Sequence, residues 1–198
     1  MFTVYYVLIG ITAFFIAALI LGAWLRSHHT KEDAERSSRV MHFFFFAGLV
    51  APPLIAIFYP GLTHFDALLG LPSLPFKPFF LVVGILVAVP GLYFLAVTNK
   101  LLRSLGSGTN AFILTKKIVN DEIYKRTRNP MSFGFYLFAL ALGFGSGSTF
   151  VLLAVSLGLI PAHAFFLKYF EELELELRFG ESYLEYKKTV PFLIPKFK

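Results

Sequence analysis

Two polar clusters joined by one apolar hairpin carry the chemistry of this sequence. The first is Arg128-Asn129-Pro130-Met131 and the second is Glu171-Glu172. About 40 residues separate them, with Lys168 the one charge between, and two bilayer crossings at roughly 20 residues each need that length. Both clusters therefore return to one membrane face, where a cation opposes a pair of carboxylates, and together they read as a site. His163 lies seven residues inside Phe170, at membrane depth, where a polar side chain is expensive and usually faces the protein interior. Tyr124 and Tyr169 flank the two clusters.

Each residue taken alone also has a structural reading. Arg128-Asn129-Pro130 is a fit interface anchor, with proline in a first helical turn where its missing N–H is harmless. Glu171-Glu172 suits the solvated start of a surface helix, and His163 a helix-packing hydrogen bond. Tyr124 and Tyr169 suit an aromatic belt. Gly106-Ser107-Gly108-Thr109 lacks the Lys-Ser/Thr of a phosphate loop and reads as a turn. His28-His29, with Glu32 nearby in a loop, is weak evidence for a metal site.

The surrounding elements are those of an integral membrane protein. The 198 residues are 57% hydrophobic and 15% charged, with 25 Phe and a mean hydropathy of +0.70, more apolar surface than one soluble core can bury. The whole chain is expected to form a single all-α membrane domain, 1–198, of about five transmembrane helices: 1–98 holds three N-terminal spans, and 99–198 the basic loop, the hairpin and the tail that form the site. The absence of cysteine removes disulfides, thiolate catalysis and thiolate metal sites.

In chain order, 2–25 is a retained span, without a basic leader or small-residue cleavage site. Residues 26–39 form a short polar loop. The second span, 40–59, is bent or locally ended by Pro52-Pro53. Four prolines make 60–78 the opposite loop. The third span, 79–98, carries a break at Pro90-Gly91, and 99–130 is the longest polar segment. The hairpin follows as 131–144 and 151–170, turning at Gly145-Ser146-Gly147-Ser148. In the tail, Leu173, Leu177 and Leu184 fall on one helical face and Glu174 and Arg178 have the spacing of a surface pair, so an amphipathic interfacial helix is expected. Openings between helices are expected at Pro52-Pro53 and at Pro90-Gly91.

Charge orients this arrangement. With the N-terminus outside, 17 of the 18 Lys/Arg fall on the inner side and Lys77 alone on the outer, which makes the long basic loop and the C-terminus cytoplasmic. The formal charge of +6 then matches anionic headgroups, and no aromatic-interleaved basic surface points to nucleic acid.

The stretch Ile118-Val119-Asn120-Asp121-Glu122-Ile123-Tyr124, then Arg128-Asn129-Pro130-Met131 with Gly134, His163, Tyr169, Glu171-Glu172, Phe179-Gly180-Glu181-Ser182-Tyr183-Leu184-Glu185-Tyr186 and Val190-Pro191, resembles the isoprenylcysteine carboxyl methyltransferase and phospholipid methyltransferase superfamily. The resemblance spans roughly 106–195. The chain departs from the isoprenylcysteine branch at Asn129, where histidine is usual, at Ser132 for a tyrosine, at Glu122 for a glycine, and in lacking an arginine shortly before the Glu pair. Asn-Pro-Met is similar to the phospholipid N-methyltransferases and to prokaryotic relatives.

That resemblance implies an enzyme of a prokaryotic inner membrane that uses S-adenosylmethionine and methylates a lipidic or amphiphilic acceptor, an amine, thiol or carboxylate, at the cytoplasmic face. It implies a cofactor pocket lined by Tyr124, Arg128, Asn129, Pro130, His163, Tyr169, Glu171 and Glu172. Methyl transfer from a sulfonium is an in-line displacement that needs positioning and exclusion of water, without a metal or covalent intermediate. The residues identify no catalytic base and no oligomeric state. Two other readings stand beside this one: an NADPH-dependent membrane reductase of the sterol-reductase type, and a non-catalytic membrane protein that keeps the fold.

Overall fold

The computed structural model describes residues 1–59, 61–104 and 122–196, and among these residues the regular structure is entirely helical. The helices are α1 (Phe2–Ser27), α2 (Lys31–Phe58), α3 (Phe65–Leu69), α4 (Lys77–Ser104), α5 (Glu122–Arg126), α6 (Pro130–Ser146), α7 (Thr149–Phe179) and α8 (Glu181–Thr189). Four of them, α1, α2, α4 and α7, are long and apolar enough to cross a membrane. The fifth apolar helix, α6, has 17 residues, about 26 Å at the helical rise and slightly short of a hydrocarbon core of roughly 30 Å. The expected turn at 106–109 and the stretch 118–121 lie outside the described residues.

Helix boundaries differ from the sequence expectation wherever charge begins. The polar loop expected over 26–39 shrinks to three residues, because Lys31 already opens α2. The Thr30 hydroxyl accepts from the Asp33 N–H at 3.1 Å, and Glu32 and Asp33 in the first turn complement the helix dipole. Further along α2, Pro52 and Pro53 neither end the helix nor stand in a regular turn. A π-helical segment, Phe45–Val50, precedes them and widens the turn whose carbonyls the proline rings would otherwise meet.

The break expected at Pro90-Gly91 is also absent, since α4 continues through Pro90 to Ser104. Gly91 instead marks close contact with α6. A methyl group there would lie 2.9 Å from the Phe138 nitrogen, and one on Gly134 would lie 2.8 Å from the Phe94 Cβ. Without a hydrophobic drive between helices in lipid, such backbone approach supplies dispersion contact. It leaves no opening at Pro90-Gly91. Pro52 and Pro53, by contrast, do line an apolar cleft with Val7, Ile11, Phe150 and Val155.

α7 is a single 31-residue helix with two π-helical segments, Ala154–Leu159 and Leu167–Glu171. At about 46 Å it is longer than a hydrocarbon core, so Glu171-Glu172 sits within a continuous helix and not at the start of a new one. The amphipathic tail is helical but divided: Gly180, at φ 57°, turns the chain between α7 and α8. Leu173 and Leu177 consequently pack against the core cluster that holds Ala34 and Met41, whereas Leu184 lies past the bend. Glu174 and Arg178 pair at 2.6 Å, buried rather than on the surface.

The main core lies among α1, α2 and α7, built around Phe14, Leu25, Met41, Leu49, Leu159 and Phe170. At the opposite end from Glu171, Asp66 closes the hairpin. Its carboxylate is 2% exposed and accepts from the Thr149 and Phe150 N–H groups, each at 2.9 Å, and from the Ser148 hydroxyl at 3.0 Å. The donors left free at the α7 N-terminus are thus satisfied from the short helix α3, distant in sequence. The expected turn of the hairpin forms with Gly147 left-handed and Ser148 as N-cap.

Candidate functional site

Arg128 ties together three elements. Its backbone N–H donates to the Pro191 carbonyl at 2.9 Å. Nη1 donates to the carbonyls of Lys187 and Val190 at 2.7 and 2.8 Å, and Nη2 meets Glu172 Oε1. Thr127 donates to the Leu193 carbonyl at 2.9 Å, Asn129 Nδ2 to that of Phe192 at 2.9 Å, and the Lys196 N–H to that of Arg126 at 2.9 Å. The C-terminal segment is therefore strapped along the residues that lead into α6. Pro130 opens α6 as a buried first-turn proline, where its lost donor costs nothing.

The expected opposition of charge is realised as a buried ion pair. Glu172, 3% exposed, receives Arg128, Lys168 at 2.9 Å and Lys187 at 3.1 Å. Lys187 also binds Glu176. Burial opposes its charge, but its hydrogen bonds to Glu176 and Glu172 prevail and raise its pKa. With both Glu172 oxygens engaged, this carboxylate holds α7, α8 and the α6 entry together.

Glu171 differs sharply from its neighbour. About 100° around the helix, it is half-buried and makes no hydrogen bond or ion pair among the described residues. It stands near enough to act electrostatically on Tyr124, Tyr136 and Tyr183. Burial is the main reason that the Tyr124, Tyr183 and Tyr186 hydroxyls have raised pKa values, so all three stay neutral donors. The Tyr186 hydroxyl donates to the Tyr124 carbonyl at 2.7 Å, and Tyr183 and Tyr186 share one face of α8 by their i,i+3 spacing, packed with Val190, Leu175 and Phe179.

Two other expected residues lie apart from Arg128. His163, 5% exposed, is about 12 Å along α7 from Glu171 and hydrogen-bonds the Tyr136 hydroxyl through Nδ1 at 2.8 Å, ringed by Phe14, Phe45, Phe135 and Phe166. Tyr169 faces α1: its ring packs on Gly22, the Arg26 guanidinium lies 3.7 Å from its centroid, and Arg26 donates to its carbonyl at 2.8 Å. That contact joins α1 to α7. Tyr136 and Tyr183 are residues the sequence reading did not place in the site. A tyrosine amid an apolar span was the available signal for Tyr136, since such a hydroxyl needs a partner.

A family model for phospholipid methyltransferases matches residues 79–182, more than half of the chain. The chain belongs to the phospholipid methyltransferase family. No curated protein and no solved structure matches it. The matched region of this membrane methyltransferase runs from α4 into α8 and contains Tyr124, Arg128, Tyr136, His163, Glu171 and Glu172. Its acidic side fits the cofactor that the family implies: S-adenosylmethionine offers an ammonium and ribose hydroxyls, and the Glu171 carboxylate is an acceptor without a donor among the described residues.

Proposed function

We propose that this chain transfers the methyl group of S-adenosylmethionine to an amphiphilic acceptor, with a lipid amine favoured over a thiol or a carboxylate, at the cytoplasmic face of the membrane. The observation that carries this reading is the Glu171 carboxylate, which has no hydrogen bond or ion pair among the described residues, lies within electrostatic reach of Tyr124 and Tyr183 and is one residue from a saturated ion-pair cluster, in a chain of this family. When bound, the cofactor supplies an electrophilic methyl carbon on a sulfonium. Glu171 would accept from its ammonium or ribose hydroxyls, and Tyr124 and Tyr183 would hydrogen-bond its polar edge. Arg128 and Glu172 hold the α6 entry, α7 and α8 in register around that edge. The aromatic wall around His163 excludes water on the membrane side. In this reading residues 1–98 act as scaffold and lipid-facing wall, and 99–198 carry the pocket.

The positive-inside imbalance supports the cytoplasmic assignment. Arg26, Arg128, Lys168 and Lys187 gather at the Glu171 end, and the acceptor approaches sideways from lipid. Calorimetric titration of the detergent-purified protein with S-adenosylhomocysteine tests the reading, with NADPH as comparator. The expected result is saturable binding of S-adenosylhomocysteine, lost in Glu171→Gln. Binding of NADPH alone, or no binding, would overturn it.

A further inference from the structure

The apolar cleft beside Pro52 and Pro53 lies at the end of the bundle away from Glu171. α2 and α7 converge at the Glu171 end, where Leu173 and Leu177 pack with Ala34 and Met41. Towards their other ends α1 packs on both, while few of their described residues meet directly, and the cleft occupies the gap. Val7 and Ile11 of α1 form its back, Pro52 and Pro53 of α2 one side, and Ala154 and Val155 of α7 the other. Leu49 and Leu159, both in the main core, close the inner end. The far end is roofed by α3: Phe65 is 1% exposed, its ring lies 5.0 Å from that of Phe150, and the Asp66 cap ties α3 to the α7 N-terminus. The opening that remains faces sideways, at membrane depth.

Both side walls are irregular helix. The π-helical segment of α2, Phe45–Val50, supplies Gly48 and Leu49, and that of α7, Ala154–Leu159, supplies Ala154, Val155 and Leu159. Such segments occur most often at functional sites, and here two of them flank one gap. No lining residue has a polar side chain. Water needs two to four polar partners to stay in a cavity, so it is not held here, and an empty gap forfeits dispersion contacts on every wall. The occupant must be apolar.

The size of the cleft selects that occupant. Leu159 lies nine residues beyond Phe150, about 14 Å along α7 and close to half of a hydrocarbon core of roughly 30 Å. A volume of about 430 Å³, open side included, spread over that length is a bore about 6 Å wide. A helix of a second copy, about 10–12 Å in diameter with its side chains, does not fit. A single polymethylene chain does.

We infer that this cleft seats one acyl chain of a phospholipid from the leaflet opposite Glu171, as a resident lipid and not as a methyl acceptor. Leu159, the α7 lining residue nearest to the candidate site, is twelve residues from Glu171, about 18 Å along the helix, and a headgroup in the opposite leaflet lies further away. The seat therefore holds its lipid whichever acceptor the site takes. The chain fills the gap between α2 and α7 that α1 alone bridges.

The test is photolabelling of the full chain in vesicles of dioleoylphosphatidylcholine that contain a trace of phosphatidylcholine with a mid-chain diazirine. This probe has no amine left to methylate, so labelling does not report turnover. Labelled peptides are quantified by mass spectrometry in wild type, Ala154→Phe, Pro53→Phe and Leu157→Phe. The first two variants fill the cleft from opposite walls, whereas Leu157, in the same π-helical segment, is 73% exposed and does not line it. The expected result is labelling of 48–56 and 150–159 severalfold above that of the exposed α4 residues Ile85, Leu86 and Val89, falling to the α4 level in Ala154→Phe and Pro53→Phe and unchanged in Leu157→Phe. A cooperative thermal melt and persistent α4 labelling show that a variant is folded, and Ala154→Val, with a smaller expected loss, stands in if neither larger residue is accommodated. Wild-type labelling of the cleft at the α4 level overturns the inference, as does undiminished labelling in a folded filling variant or an equal loss in Leu157→Phe.

Discussion

Replacing each of two adjacent carboxylates by its isosteric amide should have opposite consequences. Glu172→Gln removes the counter-charge of Arg128, whose side chain is 7% exposed and beside a 5% exposed glutamate. Breaking one partner of such a buried pair costs about 3–5 kcal/mol, because the remaining charge stays desolvated. Lys168 is 57% exposed and Lys187 32%, so their contacts to Glu172 add little once solvent screening is allowed for. At roughly 2–4 °C per kcal/mol for a chain of this size, the melting temperature should fall by about 6–20 °C. Glu171→Gln removes a carboxylate that holds no partner among the described residues, and its melting temperature should stay within about 2 °C of wild type. The ligand response should reverse that order. S-adenosylhomocysteine at a hundred times its Kd stabilises a binding-competent protein by about 2.7 kcal/mol, and Glu171→Gln should lose this increment while its unliganded melt is unchanged. Far-UV circular dichroism melts in detergent, with and without S-adenosylhomocysteine, measure both effects. A neutral Glu172→Gln, or a Glu171→Gln that melts as early as Glu172→Gln is expected to, would refute the division of roles.

Asp66→Ala should cost about 3 kcal/mol, since it leaves the Thr149 and Phe150 N–H groups without their charged acceptor; an unchanged melting temperature would count against the cap. Gly134→Ala should destabilise by about 1–3 kcal/mol through overpacking against the Phe94 Cβ and the Gly91 carbonyl, whereas Gly145→Ala, where an added methyl meets nothing within 4 Å, should be tolerated, and equal melts for the two would refute the close approach. Alkaline pH should unfold the protein through its buried tyrosines. Burial raises the Tyr124, Tyr183 and Tyr186 hydroxyls above the ordinary tyrosine value of 10.0, so the stabilisation by their protonated forms is fully present below pH 10 and is lost as pH climbs from 10 towards the folded values. Melting temperatures across that range should show a fall that Tyr183→Phe makes shallower, and an identical fall in the variant would exclude Tyr183 as a source.

The apolar spans, the hairpin turn at Gly147 and Ser148, and the meeting of Arg128 with Glu172 of the Glu pair were legible because each rests on a one-dimensional property. Span length follows from transfer free energy summed along the chain, a left-handed turn from glycine, and shared sidedness from an even number of crossings. Helix continuity was not legible at charged ends. Residues 31–39 and 172–179 read as surface segments by hydropathy, but each is helical because the other shields its apolar face, with Leu173 and Leu177 packed where Ala34 and Met41 lie. Pro90-Gly91 read as a break because proline removes a helical hydrogen bond, yet α4 runs on through it with Gly91 packed on α6.

By itself the sequence determined that this is a helical membrane protein with a resemblance to membrane methyltransferases and with its polar groups gathered at one end of a hairpin. Only the tertiary structure decided which of those groups are engaged. Glu171 and Glu172 are equivalent in composition and adjacent in the chain, but about 100° of helical rotation turns Glu172 towards Arg128 and Lys187 and leaves Glu171 off that cluster, within electrostatic reach of Tyr124 and Tyr183. The partners come from α5, α6 and α8, brought together by the Gly180 bend and the strap from Val190 to Lys196. That choice depends on three-dimensional register, which no linear pattern of charge or hydropathy encodes.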